Sequence, residues 1–180
     1  MSTSTSTSTS TSTSKGSIRK QLTVEAPIER AFRVFTASMG TWWPKSHHIG
    51  KSPLVQCVVE PRVGGRWYEV CEDGSECDWG QVLAWEPPNR LVLAWQLDAT
   101  FAFDRELITE VEVRFSELAP RRTRVDFEHR DLEKLAGAGA VVAGPQGMDA
   151  GWGMILELFV RTAGSEAAEA AGAPAAAVRG

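Results

Sequence analysis

Apolar and polar residues change rhythm along this chain, and the changes mark out its elements. Over residues 17–26, SIRKQLTVEA, they alternate, which predicts a first strand. Pro27 suits the first turn of a helix, and PIERAFRVFTA sets Ile28, Ala31, Phe32 and Phe35 on one face at helical spacing. Gly40 ends that run, and the loop TWWPKSHHIG follows. From Leu54 onward the period becomes two. LVQCVVEP, RWYEVCE, ECDWGQVLAWE, RLVLAWQL, ELITEVEVRFSEL and TRVDFEHRDL read as six strands of a meander, separated by turns rich in Gly, Pro and Asp. A linker, GAGAVVAGPQG, leads to MDAGWGMILELFVRTAG, where Met148, Trp152, Ile155, Leu156, Phe159 and Val160 form an apolar helical stripe. Asp149 favours the start of this helix and Gly164 its end. Gly151 and Gly153 weaken helix propensity but leave room for a close strand or a guest molecule.

That order predicts an α+β fold. A curved antiparallel sheet of six to seven strands wraps around a long C-terminal helix, with short helices after the first strand. Whatever the helix fails to fill becomes a cavity. The ends stand apart. Residues 1–16, mostly a Ser/Thr alternation, have almost nothing to bury and are expected to be a disordered arm. Residues 164–180 are expected to be a flexible Ala/Gly-rich tail. The domain is therefore placed at 17–163.

Composition narrows the function. The net charge is −4, and the basic cluster Arg121, Arg122 and Arg124 reads as a solvated turn, so no nucleic-acid partner is expected. No apolar run reaches membrane-spanning length, so no membrane span is expected. Cys57, Cys71 and Cys77 are an odd set with no secretory signal, which points to reduced, packed thiols in the cytoplasm. Their spacing lacks a metal signature, so neither metal nor cofactor is expected. VGGRW has neither the lysine nor the following helix of a phosphate loop, and there is no GxSxG elbow.

The chain resembles the START-like helix-grip superfamily, SRPBCC, and within it the branch named after the activator of the heat-shock chaperone ATPase. The residues that carry the likeness are Ala26-Pro27-Ile28-Glu29-Arg30-Ala31-Phe32, Trp42-Trp43, Val63-Gly64-Gly65-Arg66-Trp67 and Asp73-Gly74. They continue through Gly80-Gln81-Val82, Glu86-Pro87-Pro88-Asn89-Arg90-Leu91, Trp95, residues 123–129 and the closing helix. The likeness implies a hydrophobic pocket between sheet and terminal helix. It implies binding of a hydrophobic or amphipathic small molecule. Two alternatives are a cyclase, dehydratase or hydrolase acting on a polyketide-like or aromatic substrate, and an activator of a chaperone ATPase. A homodimer is compatible with either.

Candidate site residues follow from the pattern. Seven tryptophans supply large apolar faces, each with one N–H. Trp43, Trp67, Trp95, Phe127, Met148 and Trp152 are candidates for the pocket wall, with Glu69 and His129 as its polar groups. Trp152 stands on the gripping stripe, and Trp42 and Trp43 on a lid-like loop. For catalysis the candidates are His129, Glu69 and Asp78. His129 shares strand parity with Val125 and Phe127. A two-residue Asp73-Gly74 turn would set Glu69 opposite Asp78 and make Tyr68, Val70, Cys77 and Trp79 the core face. A three-residue turn with a bulge would shift the parity and dissolve that pair. The resemblance favours Trp67 inward, and a bulge beside Gly64-Gly65 or Gly80 would reconcile the two. The sequence leaves the facing of Trp67 and Glu69 open. His47 and His48 read as a solvated loop.

Overall fold

The computed structural model describes residues 16–135 and 147–165, together with the backbone of residues 10–14. The earlier part of the arm, most of the Gly/Ala linker and the tail from residue 166 lie outside the described residues.

The alternating stretches become strands and the helical stripes become helices. In chain order these are β1 (Ser10–Ser14), β2 (Ser17–Val24), α1 (Ile28–Thr36), α2 (Met39–Trp42), β3 (Leu54–Val59), β4 (Arg66–Cys71), β5 (Glu76–Glu86), β6 (Arg90–Trp95), β7 (Thr109–Ala119), β8 (Arg122–Arg130) and α3 (Met148–Ala163). A single 3₁₀ turn, Leu132–Lys134, follows β8. The strands form one curled antiparallel sheet in the order β1-β2-β8-β7-β6-β5-β4-β3. Seven of its strands are those read from the sequence. The eighth is a departure: the arm expected to be disordered contributes β1, paired to β2 along the edge.

Period-two alternation decides what faces the concave side. Ile18, Leu22 and Val24 of β2 lie there, as do Val125 and Phe127 of β8, Val111, Val113 and Phe115 of β7, and Leu91 and Leu93 of β6; all are buried. Lys20 also points inward, opposite Phe127, and its ammonium reaches Asp149 at 3.3 Å. This pair ties the first turn of α3 to the sheet. The other end of α3 is tied by Arg30, whose guanidinium donates to the Ser165 carbonyl.

The space under α3 has two halves. At the α1 end Phe32, Phe35, Trp42, Phe115 and Phe159 pack edge to face or tilted, with neighbouring centroids 5.1–6.1 Å apart. Such spacing gives aromatic pairs extra stability beyond area burial. That half is solid. At the other end lie Trp43, Trp67, Trp79, Trp95 and Trp152, and there the packing leaves a hollow. No helix of the described residues is long and apolar enough to cross a membrane.

Candidate functional site

The hairpin of β4 and β5 builds one wall. Its turn holds three residues, Glu72, Asp73 and Gly74: Cys71 N–H donates to the Ser75 carbonyl at 2.9 Å, and Gly74 takes φ +84°. The left-handed position explains the glycine. Register then runs Val70 with Glu76, Glu69 with Cys77 and Tyr68 with Asp78, before jumping to Trp67 with Gly80. Trp79 is the extra residue of this bulge, and it turns inward along with Trp67, Glu69 and Cys71. A Cβ on Gly80 would lie 1.7 Å from the Ala94 carbonyl oxygen, so glycine is what lets β5 lie this close to β6.

The predicted opposition of Glu69 and Asp78 is therefore corrected. Asp78 stands on the outer face, where Arg66 donates to it at 2.9 Å, and that guanidinium also covers the Tyr68 ring. An acid paired to a surface arginine takes no part in an inner site. Glu69 is wholly buried. Its Oε1 accepts from Ile49 N–H at 2.7 Å and Trp79 Nε1–H at 2.8 Å, and its Oε2 from Gly50 N–H at 3.3 Å and the Cys71 thiol at 3.4 Å. Four donors satisfy the carboxylate and pin the loop after α2 onto the sheet.

The thiols around it are held protonated. Burial, reinforced by the negative charge of Glu69, pushes Cys57 up to about 12, and burial likewise raises Cys71 and Cys77. All three cysteines are free, and they act here as packing and weak donor groups rather than nucleophiles.

His129 is also wholly buried. Trp152 Nε1–H donates to its Nδ1 at 3.1 Å, and its Nε2 lies 2.8 Å from Thr109 Oγ1. Since the indole can only donate, Nδ1 is the acceptor and Nε2 carries the proton. The Thr109 hydroxyl passes its own hydrogen toward the Trp95 carbonyl at 3.4 Å. Both nitrogens are spoken for, and the catalytic assignment of His129 is not what this geometry favours. Burial pushes its pKa down to about 3. The folded state thus keeps His129 neutral, while the unfolded chain protonates it near pH 6.5. Below that pH the unfolded state binds the extra proton, so stability falls on acidification from about pH 6.5 toward 3, by up to about 1.4 kcal/mol per pH unit. His129→Gln is expected to flatten this acid limb. Melting temperatures taken from pH 7 to pH 4 check it; parallel curves for the two proteins would contradict it.

The hollow itself measures about 690 Å³ and lies between α3, the loop after α2 and the loop joining β6 to β7. Trp43, Trp79, Trp95 and Trp152 line it, with Met148 and Ile155 beneath α3 and His47 and His48 on the loop side. Three of these indole N–H groups are engaged away from the hollow: Trp43 donates to the His47 carbonyl, Trp79 to Glu69 and Trp152 to His129. Aromatic faces and edges are left as lining. Phe101, half exposed at φ +62°, stands at the mouth. This is a strained conformation for a large side chain. Asp98 holds it by accepting the amides of Thr100 and Ala102.

Of the residues read from the sequence, Trp43, Trp95, Met148 and Trp152 reach the hollow. Trp67, Phe127, Glu69 and His129 do not line it. Trp67 packs behind Trp43, Trp79 and Trp95, and Phe127 sits 4.7 Å behind Trp152. Trp79, His47, His48 and Phe101 were missed. The signal for Trp79 was present in the Glu-Asp-Gly-Ser turn, whose glycine in third place favours a three-residue loop. Nothing local marked the histidines: His48 is half-buried because Glu69 draws the loop inward through the Ile49 and Gly50 amides, while His47 stays exposed at the rim of the hollow. Among the described residues no group of three His, Cys, Asp or Glu side chains is placed to hold a metal.

A family model described as "Activator of Hsp90 ATPase homolog 1-like protein" matches residues 25–164, from the end of β2 to the cap of α3. The chain belongs to that family. It is thus a member of the START-like, SRPBCC superfamily, and the helix-grip fold is its architecture. Among solved structures, an anthrahydroquino-gamma-pyrone synthase, Txn09, complexed with SUM, is 33% identical over 81% of this chain and 95% of its own, at a TM-score of 0.57. CalC, a self-sacrificing resistance protein from Micromonospora echinospora, is 30% identical over 84% of this chain and 96% of its own, with a TM-score of 0.63. A Rhodobacter sphaeroides protein at 20% identity shares the fold, at a TM-score of 0.61 over 90% of this chain and 99% of its own. No curated protein matches the chain. The helix-grip scaffold of this family member is a ligand-binding one.

Proposed function

We propose that this family member binds a flat, aromatic, largely apolar small molecule in the hollow beneath α3. The observation that carries the reading is the lining: four tryptophans around about 690 Å³, most of their N–H groups turned away. That volume suits a drug-sized guest, and stacked or edge-on rings are what an aromatic wall rewards. The likeness to Txn09 supports a second reading, conversion of a polyketide-like aromatic within the same hollow. Activation of a chaperone ATPase is suggested by the family's description alone, and the hollow does not call for it.

Gly151 offers a clean test. It lines the hollow, and a Cβ built there meets nothing within 4 Å. Gly151→Leu is expected to plug the space while stabilising α3 by about 1 kcal/mol through helix propensity. With 2-methoxyanthraquinone at a hundred times its Kd, wild-type protein should gain about 2.7 kcal/mol of stability and show quenched tryptophan emission. Gly151→Leu should melt higher than wild type without ligand and show neither response. If polycyclic aromatics bind both proteins equally, the guest lies elsewhere.

A further inference from the structure

One polar feature of the hollow is unaccounted for by an apolar guest. His48 lines it, yet its Nδ1 is buried, has no hydrogen-bond partner and faces Glu69 Oε2 at 3.8 Å. A quarter of the side chain remains accessible. Since Nδ1 is shut off, the accessible edge of the ring is the one bearing Nε2. A closure of about an ångström would complete the Nδ1–H···carboxylate bond. The neutral ring then presents an Nε2 lone pair to the hollow.

We propose that His48 and Glu69 form a proton-accepting station at the loop end of the hollow, so that the guest carries an acidic hydroxyl, a phenol or enol on its ring system. The proposal rests on the reading of the hollow as a ligand site. In the step, the O–H bond of the guest breaks, its proton passes to His48 Nε2, and the electron pair stays on oxygen. The imidazolium so formed lies between the bound phenolate and the Glu69 carboxylate. His48 touches the guest; Glu69 is a positioning residue. Its four other donors keep the carboxylate fixed, so it cannot swing away when the ring charges.

The surrounding groups leave His48 as the acceptor. Cys71 from β4 and Cys77 from β5 are held protonated by burial. On the same loop, Lys45 donates to the Val55 carbonyl, and His47 Nδ1 is engaged with Ser46 Oγ at 2.9 Å. Burial lowers the pKa of His47, which disfavours its charged form. Across the hollow α3 contributes Met148, Trp152 and Ile155, and Asp98 is occupied by its own loop's amides.

Two probes separate this proposal from the binding reading: 2-hydroxyanthraquinone, whose absorption changes on ionisation, and its methyl ether. Under saturating protein, the bound hydroxy probe is expected to ionise with a midpoint roughly 1–2 pH units below the free compound. His48→Phe should return the midpoint to the free value, and Glu69→Gln should recover most of that distance. Should Glu69→Gln fail to fold, His48→Phe alone decides, since its residue sits on a loop. An unshifted midpoint in wild type, or a lowered one that survives His48→Phe, overturns the proposal. So does a lowering that His47→Phe abolishes and His48→Phe leaves. If the methyl ether binds wild type while the hydroxy probe shows no lowering, only the proton station fails. If neither probe quenches tryptophan emission, the hollow is not the site and both readings fall.

Discussion

Glu69→Ala is expected to lower the melting temperature by roughly 10–15 °C, the largest loss foreseen for any single polar side chain here. Removing the carboxylate strands the Ile49 and Gly50 amides and the Trp79 indole N–H, all now bonded to it. Each unsatisfied buried donor costs about 1–3 kcal/mol, and partial hydration of the loop returns some of this. A net loss of about 3–5 kcal/mol follows. Asp78→Ala is the matched control. Its pairing with Arg66 is a surface one, with both side chains 42% exposed, so about 0–1 kcal/mol is at stake. Calorimetry of the two variants side by side checks the contrast. If they melt together, Glu69 is not the anchor of the loop.

Trp152→Ala should damage both stability and binding. The indole packs on Trp43, Trp95 and Phe127 at 4.7–5.9 Å and donates to His129. Truncating a buried ring of this size costs about 3–5 kcal/mol, and His129 loses a partner besides. The aromatic guest also loses a wall of its site, worth at least tenfold in Kd for a central aromatic contact. Trp152→Phe divides the two roles. It keeps a ring for stacking but no N–H, so binding should largely persist while stability drops by about 1–2 kcal/mol. If Trp152→Phe binds as poorly as Trp152→Ala, the N–H···His129 bond rather than the ring shapes the site.

The parts of this molecule that were legible in the sequence are those set by simple periods. The stripe from Met148 to Phe159 specifies α3 and its buried face, and inward parity along β8 places Phe127 and His129 under it. What stayed hidden depends on a single extra residue. The turn of the β4-β5 hairpin holds three residues instead of two, and that extra residue sets Glu69 beside Cys77 and so settles the parity of the hairpin, with Trp67, Glu69 and Trp79 inward. Periodicity carries no information about such a shift, although the glycine in the turn hints at it. The histidine loop was hidden for another reason. His48 reaches the hollow only because Glu69, twenty-one residues further on, collects the amides of Ile49 and Gly50. A contact so distant leaves no mark on the local pattern. Phe127 and Trp67 show the reverse error: Phe127 faces inward as its strand parity suggests, and Trp67, whose facing the sequence left open, does so too, but a further aromatic layer separates both from the hollow.

Occupation of the hollow is the central claim, and the seven indole N–H groups report on it directly. In a ¹H–¹⁵N spectrum each tryptophan gives one side-chain resonance, assignable by single substitution to phenylalanine. On titration with 2-methoxyanthraquinone, the resonances of Trp43, Trp79, Trp95 and Trp152 are expected to move, the four that line the hollow. Those of Trp42, in the solid half, and Trp85, beside a separate groove with Phe32 and Pro87, are expected to stay. Movement confined to Trp85, or none at any position under saturating ligand, would contradict the account.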